Sequence, residues 1–522
     1  MPTLSIRISR SLIFSLLFGI FPILALSKSN LGQIQSSFFL RPILFSLIFT
    51  LTIYGICLLI SKSWESAAAF SGVISLFVFS FGHIYNLVGQ KTFLGISVGF
   101  IKLLFLYLVF FAGVVILLSR IKKFPNTLFL VLNLMAGCLI FLNLIPIIAF
   151  EIRQGANTPI GQELPDIKTA APEDLPDIYY ILLDAYARED VLNEVIGYDN
   201  SAFLQELETR GFYIPECAFS NYHATALTLP SVLNFDYINN LNIAYHPDSE
   251  SLEDINILVN NNARVYFSSL GYQFVTGRGF SSRVDITDSD VYFNYFQDNE
   301  GKDDFEAQSF LSLYLNTTIY RVITELYKNN PEKFSWLPYW LAVDREFDPY
   351  LQQASLWYYQ NKYMLDSIQE LPDNTGPVFV YAHIIAPHPP YAFRSDGTLR
   401  YPLDTQDEKI LYADQVTYLN KRVLELVDAL KANSSIQPII IIQADHGIHQ
   451  LTSGLDKHKI LSAYYLPGIL NTNPYPTITP VNNFRLIIKN YFDTSMVLLP
   501  DILYVKWVDN DEPIASSCDL EP

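Results

Sequence analysis

Apolar residues run almost unbroken through five stretches of the first 150 positions, at about 11–27, 40–61, 66–84, 101–119 and 126–150. Each approaches the roughly 20 residues that a helix needs to cross a bilayer, so the pattern predicts an N-terminal bundle of about five transmembrane helices over residues 1–150. The first stretch also has signal-peptide features: Arg7 and Arg10, an apolar run, then Ala25-Leu26-Ser27. Removing one span would put the new N-terminus outside, and four remaining crossings would still bring residue 151 to the same side. Residues 151–176 are polar, with Pro159, Pro165, Pro172 and Pro176 spaced too closely for a helix, and are expected to be a linker.

From Asp177 onward short apolar runs alternate with helical periodicity. Ranges 178–183, 212–214, 378–382 and 439–442 read as strands. Range 201–210 reads as a helix, and 408–432 as another, with Leu411, Val416, Leu419, Val423, Leu426 and Leu430 largely on one face. Such alternation predicts an open, mainly parallel α/β sheet in one domain over 177–522. Range 285–350 is aromatic and irregular and is assigned nothing beyond helices near 308–328.

Composition sharpens the division. The 522 residues are 50% hydrophobic and 14% aromatic, with a mean hydropathy of +0.21, which is too apolar for an ordinary soluble enzyme. Residues 1–150 hold ten Lys/Arg and one acid, Glu65, and the other 24 bases and 51 acids give residues 151–522 a net charge of −27. A domain that acidic repels polyanions, so nucleic acid is excluded as a partner. With the N-terminus cytoplasmic, inside segments carry six Lys/Arg and outside segments four. That bias, set mainly by Arg120, Lys122 and Lys123, puts residues 151–522 outside the cytoplasm of a cell (plasma or inner) membrane. No span has an acid or base near its middle, unlike a transporter or voltage sensor. Of four cysteines, Cys57 and Cys138 fall in apolar stretches, leaving Cys217 and Cys518 as a candidate pair or as two free thiols.

Three predicted strands end in residues that bind metals or move protons: Asp184 after 178–183, His383 after 378–382, and Asp445-His446-Gly447 after 439–442. Ligands of open α/β sheets bind beyond the carboxyl ends of the strands, so these ends are expected to converge. Five of the eight histidines lie within 383–458: His383, His388, His446, His449 and His458. Two carboxylates and an imidazole suit one divalent metal, Zn²⁺ or Mn²⁺. Each feature also has a plainer use. Asp184 can cap the next helix, His383 can be a satisfied core histidine, and His449 reads as a solvated neighbour. His246, in His246-Pro247-Asp248, reads as a turn residue. A charged pair directly after four isoleucines has little structural use unless something binds it. The remaining need is a nucleophile. Residues 221–231 offer Thr225, Thr228 and Ser231 between a strand and a helix-like stretch, and spacing alone leaves the three open, as it leaves open that they only cap the helix.

At these residues the chain resembles the alkaline phosphatase superfamily, in particular membrane-anchored, sulfatase-like transferases such as phosphoethanolamine transferases and lipoteichoic acid synthases. The resemblance implies an α/β/α sandwich and spans about 177–470. Asp184 matches the family's first metal-binding acid, although that acid is Glu in the phosphoethanolamine transferases. Thr225, in Thr225-Ala226-Leu227-Thr228-Leu229-Pro230, matches the threonine that binds the metal and carries the phosphoryl group, and Asp445 with His446 match the metal-binding pair. His383, His388 and His458 match histidines that contact substrate phosphate, a second metal or the leaving group. Pro389 stands where the family has the Gly of its H-G-P motif, and the stapling cysteines of the phosphoethanolamine transferases are missing. The segment 176–188 also resembles the P-D-I-Y-Y-I-x-L-D-x-Y-A-R opening of a widespread group of bacterial sulfatase-like membrane proteins. A true sulfatase is disfavoured, because no C/S-x-P-x-R segment is present and position 185 is Ala. The implied activity is metal-dependent transfer of a phosphoryl-linked head group from a phospholipid donor to a glycan or lipid acceptor. The rivals are a phosphoester or sulfoester hydrolase and a non-catalytic envelope scaffold.

Overall fold

Five helices of the described residues are long and apolar enough to cross a membrane: α1 (Pro2–Ser29), α2 (Leu40–Ser61), α3 (Trp64–Val88), α4 (Phe100–Arg120) and α5 (Asn126–Gly155). The structure, a computed structural model, describes residues 2–29, 39–88, 99–155 apart from 122, 175–241, 256–279, 284–298, 313–329, 349–371, 376–400, 405–469, 472–505 and 513–520, together with residues 92–93, 96–97, 245–246 and 251–252. Residues 151–155 finish α5, and the rest of the expected linker up to residue 174 lies outside the described residues. The chain forms two compact units: Met1–Gly155 with Gly301–Asp348, and Ala156–Glu300 with Pro349–Pro522.

In the first unit, lipid is no worse a solvent for Leu or Phe than a neighbouring helix, so packing depends on small residues and on hydroxyls that find carbonyls. Ala67, Ala68, Ser71, Gly72 and Ser75 are buried along α3. The Ser15 hydroxyl donates to Ala68 O at 2.8 Å, Ser46 donates to Gly19 O at 2.6 Å, and Thr50 shares a 2.9 Å hydrogen bond with Ser75. Part of the chain distant in sequence joins this unit. Ile319 N–H donates to Val78 O at 2.7 Å, and the Tyr314 ring stacks on Phe79 at 6.1 Å.

The second unit is built on a sheet of six described strands: β1 (Ile178–Leu183), β2 (Gln273–Gly277), β3 (Val291–Phe293), β4 (Val378–Ile384), β5 (Ile439–Gln443) and β6 (Ser462–Tyr465). Their order is β6-β5-β1-β4-β2-β3, and all neighbours are parallel except β5 and β6. Both faces are covered, which is why these strands read as continuous apolar runs. Tyr179, Ile181 and Leu183 face one core with α7 (Pro349–Gln369) and α8 (Glu408–Asn433). Ile178, Tyr180 and Leu182 face the other, with α6 (Thr225–Leu233) and α9 (Asn483–Tyr491). The result is the expected α/β/α sandwich. Two expected elements differ. Strand β4 runs on to Ile384 and so includes His383, and 212–214 is reduced to a single bridge, Tyr213 with Tyr464. Cys217 and Cys518 form a disulfide with a Cα–Cα separation of 5.1 Å.

Candidate active site

Strand β1 lies between β4 and β5, and this topology brings the site together. In the parallel register Leu182 is level with both His383 and Gln443. Two residues further on, Asp184 leaves β1, its N–H donating to Ile384 O at 3.0 Å. Donor atoms of Asp184, His383 and Asp445 all lie within 4.8 Å of one another. Asp184 Oδ2 is 3.2 Å from His383 Nε2, and His446 Nε2 is 3.5 Å from both Asp184 Oδ1 and Asp445 Oδ2. All four residues are buried, Asp445 completely. Ala185, between Asp184 and Tyr186, holds φ at +62°, a costly conformation for a residue with a Cβ. Its N–H donates to Asp445 Oδ1 at 3.2 Å, and its carbonyl accepts from Tyr412 at 2.8 Å. The strained residue thus ties the first acid to the second.

Helix α6 presents the hydroxyl. Ala224, in an extended conformation, precedes it, and the N–H groups of Leu227 and Thr228 bond back to Ala224 O. The N–H groups of Thr225 and Ala226 precede the first intrahelical bonds and point out of the helix end, where anions bind. The Thr225 hydroxyl donates to Asp445 Oδ2 at 2.5 Å. The two other hydroxyls of the segment face elsewhere: Thr228 donates to Tyr222 O at 3.2 Å and Ser231 to Asp236 O at 2.7 Å.

The histidines fall into two groups. His446 Nδ1–H donates to Gly447 O at 2.8 Å, which leaves Nε2 as the lone-pair nitrogen facing the carboxylates. His388 N–H donates to Asp184 O at 3.1 Å, and its ring lies 6.1 Å from that of His446. His458 is farther out, its Nδ1–H donating to Ser220 O at 3.0 Å and its ring 5.8 Å from His223. Burial pushes His458 down to about 4, so the ring is neutral near pH 7. His449 is not the solvated neighbour expected. It is half-buried, its ring 4.2 Å from His446, and it donates to His223 O. His223 itself was missed, and the available signal was its position two residues before Thr225. The side chain of His246 lies outside the described residues.

The donor set fits a divalent cation. Two buried carboxylates meet with an imidazole lone pair between them, and Asp184 Oδ1 is buried without a hydrogen-bond donor among the described residues. Burial by itself pushes the Asp184 carboxyl up, but His388, the His383 hydrogen bond and His446 together hold it below the usual carboxylate range. It is therefore anionic and ready to ligate.

The chain is similar in structure to the C-terminal periplasmic domain of EcEptC from Escherichia coli in complex with Zn, at 11% identity and a TM-score of 0.42, covering 69% of this chain and 97% of that one. It is similar to the C-terminal periplasmic domain of phosphoethanolamine transferase EptC from Campylobacter jejuni at 13% identity and a TM-score of 0.34, covering 64% and 96%. For the lipoteichoic acid synthase LtaP from Listeria monocytogenes the figures are 13%, 0.34, 62% and 74%. No curated protein matches the chain. The Sulfatase family profile matches residues 176–472, which include all seven expected site residues and more than half of the chain. This protein therefore belongs to the sulfatase family, and it is an enzyme of the alkaline phosphatase superfamily that transfers or hydrolyses phosphate or sulfate esters.

Proposed function

We propose that this enzyme transfers a phosphoryl-linked head group from a phospholipid to an envelope glycan or lipid, through a covalent intermediate on Thr225. Residues 1–150 serve as the membrane anchor and 177–522 as an extracytoplasmic catalytic domain. The observation that carries the reading is the 2.5 Å hydrogen bond from Thr225 to Asp445, at a helix N-terminus and beside Asp184, His383 and His446.

Asp184, Thr225, Asp445 and His446 are the residues that would hold one divalent metal, Zn²⁺ or Mn²⁺. When bound, it supplies Lewis acidity, which makes the threonine hydroxyl a stronger acid and offsets phosphate charge. Asp445 Oδ2 accepts the Thr225 proton as Oγ1 attacks phosphorus. The Oγ1–P bond forms, the bond from phosphorus to the diacylglycerol oxygen breaks, and diacylglycerol leaves with a proton delivered by His388. An acceptor hydroxyl then attacks phosphorus and gives its proton to His388, the Oγ1–P bond breaks, and Oγ1 takes back the proton held on Asp445, which restores Thr225. Thr225 and Ala226 N–H groups face the non-bridging oxygens where charge is held. His383 keeps Asp184 oriented, and His458 lies on the substrate side. A tethered site meets phospholipid within the membrane plane, without extracting it into water.

The test is peptide mass spectrometry of the full chain after incubation with vesicles of head-group-labelled phospholipid. A labelled adduct is expected on Thr225, and the adduct mass identifies the donated group. Thr225→Ala is expected to abolish it and to lower turnover by as much as ~10⁶-fold, while Thr228→Val retains both. Normal turnover by Thr225→Ala would rule out the covalent step. Repeating the assay with and without glycan separates transfer from hydrolysis.

A further inference from the structure

Helices α2, α3 and α4 and residues 315–323 line a cavity of about 480 Å³. Two helical i,i+4 pairs line it, Phe45 and Phe49 from α2 and Leu104 and Leu108 from α4, together with Ile319 and Ile323 from the inserted segment. Phe45 and Leu108 remain 53% and 48% exposed on the outer surface of the bundle, so the cavity opens sideways. The bundle's surroundings are lipid, and a lateral opening there admits hydrocarbon in place of water. A volume of this size falls within the roughly 300–1,000 Å³ of small-molecule sites.

Depth follows from helix rise. Val78 lies ten residues before the end of α3 at Val88, about 15 Å along the axis at 1.5 Å per residue. Leu104 and Phe45 lie a turn or so inside the ends of α4 and α2 that share that side. With alternating spans, this is also the side on which α5 ends. The inserted segment therefore reaches well into one leaflet. It is seated firmly there: a Cβ on Gly82 would lie 2.1 Å from Asn316 O, and Thr317 and Thr318 hydroxyls each bond a carbonyl of their own turn at 2.7 Å. Residues near the end of α3 supply the polar rim. Arg321 donates to Asn86 Oδ1 at 2.8 Å, pairs with Glu325 at 3.3 Å, and lies 4.4 Å over the Tyr85 ring. Tyr and Arg at this level form an interfacial belt.

We infer that this cavity is a binding site for one acyl chain of a phospholipid, whose phosphate lies beside Arg321 and whose chain runs down between α2, α4 and residues 315–323. Its floor and walls are hydrocarbon, its mouth faces lipid, and its upper edge carries the cation that a phosphate needs. The inference depends on membrane insertion of the five helices and is independent of chemistry at Thr225.

The full chain is reconstituted in vesicles of phosphatidylethanolamine and phosphatidylglycerol that contain a phospholipid with a diazirine at the end of one acyl chain. After illumination, adducts are mapped by peptide mass spectrometry. Label is expected to concentrate on residues 45–49, 104–108 and 315–323. Val78→Trp fills the cavity and is expected to reduce label on 315–323 by about tenfold, an effect of about 1.4 kcal/mol. Gly82→Leu evicts the segment and should leave label on α4 alone. Thr225→Ala should leave the map unchanged, so failure of the transfer chemistry is distinguishable from failure of the site. Label spread over α4 and α5 in proportion to exposure, unchanged in Val78→Trp, would overturn the inference. So would preferential labelling of the cavity by a diazirine free fatty acid over the phospholipid.

Discussion

Replacing Asp445 with Asn should change the protein's stability with opposite sign depending on whether metal is bound. The side chain is completely buried, accepts from Thr225 at 2.5 Å and Ala185 N–H at 3.2 Å, and has the Asp184 carboxylate within 4.8 Å. An amide fits the same volume. Its oxygen can keep the Ala185 bond, and its NH₂ can donate to the Thr225 hydroxyl, which then accepts. What changes is one negative charge. At an effective dielectric of about 20, two unit charges that close repel by about 3 kcal/mol or more. Without metal the substitution removes that repulsion and should raise the melting temperature, at about 1–2 °C per kcal/mol for a domain of this size. With metal it removes an anionic ligand. A hundredfold loss of affinity would subtract about 2.7 kcal/mol of linked stability. The assay is thermal unfolding of the full chain in detergent, followed by tryptophan fluorescence, with excess Zn²⁺ and again with a chelator. Asp445→Asn should melt below wild type in the first condition and above it in the second. Equal destabilisation in both would refute the claim that a cation balances these two carboxylates.

Acid should weaken the fold through His458. Burial pushes its pKa down to about 4, whereas an unfolded histidine titrates near ~6.5. Between those values the unfolded chain binds a proton that the native one does not, so stability is lost as pH falls from about 6.5 towards 4. Asp285 opposes this: burial pushes it up to about 6, so it adds stability as pH falls through about 6 towards the unfolded carboxylate value near ~3.9. In melting curves against pH, His458→Gln should flatten the slope and Asp285→Asn should steepen it. Gly447→Ala should impair activity more than stability. The added Cβ would meet Asp456 O at 2.6 Å and Lys459 O at 2.9 Å. The turn bearing His458 must therefore move, at about 1–3 kcal/mol, which paired melting and turnover measurements would separate.

Much of the fold could be read from local pattern because each cause was local. The apolar runs of α1 to α5 announce themselves by length, and ranges 178–183 and 439–442 by being apolar on both faces. Asp184, Asp445 and His446 were legible because a charge at the end of a buried strand needs a reason. The Thr225 hydroxyl was less so, since spacing left Thr228 and Ser231 equal to it. The structure separates them by their partners: a carboxylate for Thr225, backbone carbonyls for the other two. His223 goes unread and His449 reads as a solvated neighbour because their importance lies in ring contacts between segments more than 200 residues apart.

Taken alone, the sequence determined what depends on periodicity and chemical type: a membrane-inserted N-terminal part, an acidic α/β domain, and residues able to bind a cation. Tertiary structure decided what depends on contacts distant along the chain. Placing β1 between β4 and β5 converts three separate strand ends into one cluster. Closing Cys217 onto Cys518 joins positions 301 residues apart. Most of all, residues 313–329 pack with α2, α3 and α4 although the chain reaches them only after the first strands of the catalytic unit. Their amphipathic pattern is compatible with water, membrane or protein on the apolar side, and only the meeting of Gly82 with the backbone of Asn316 and Thr317 selects among these.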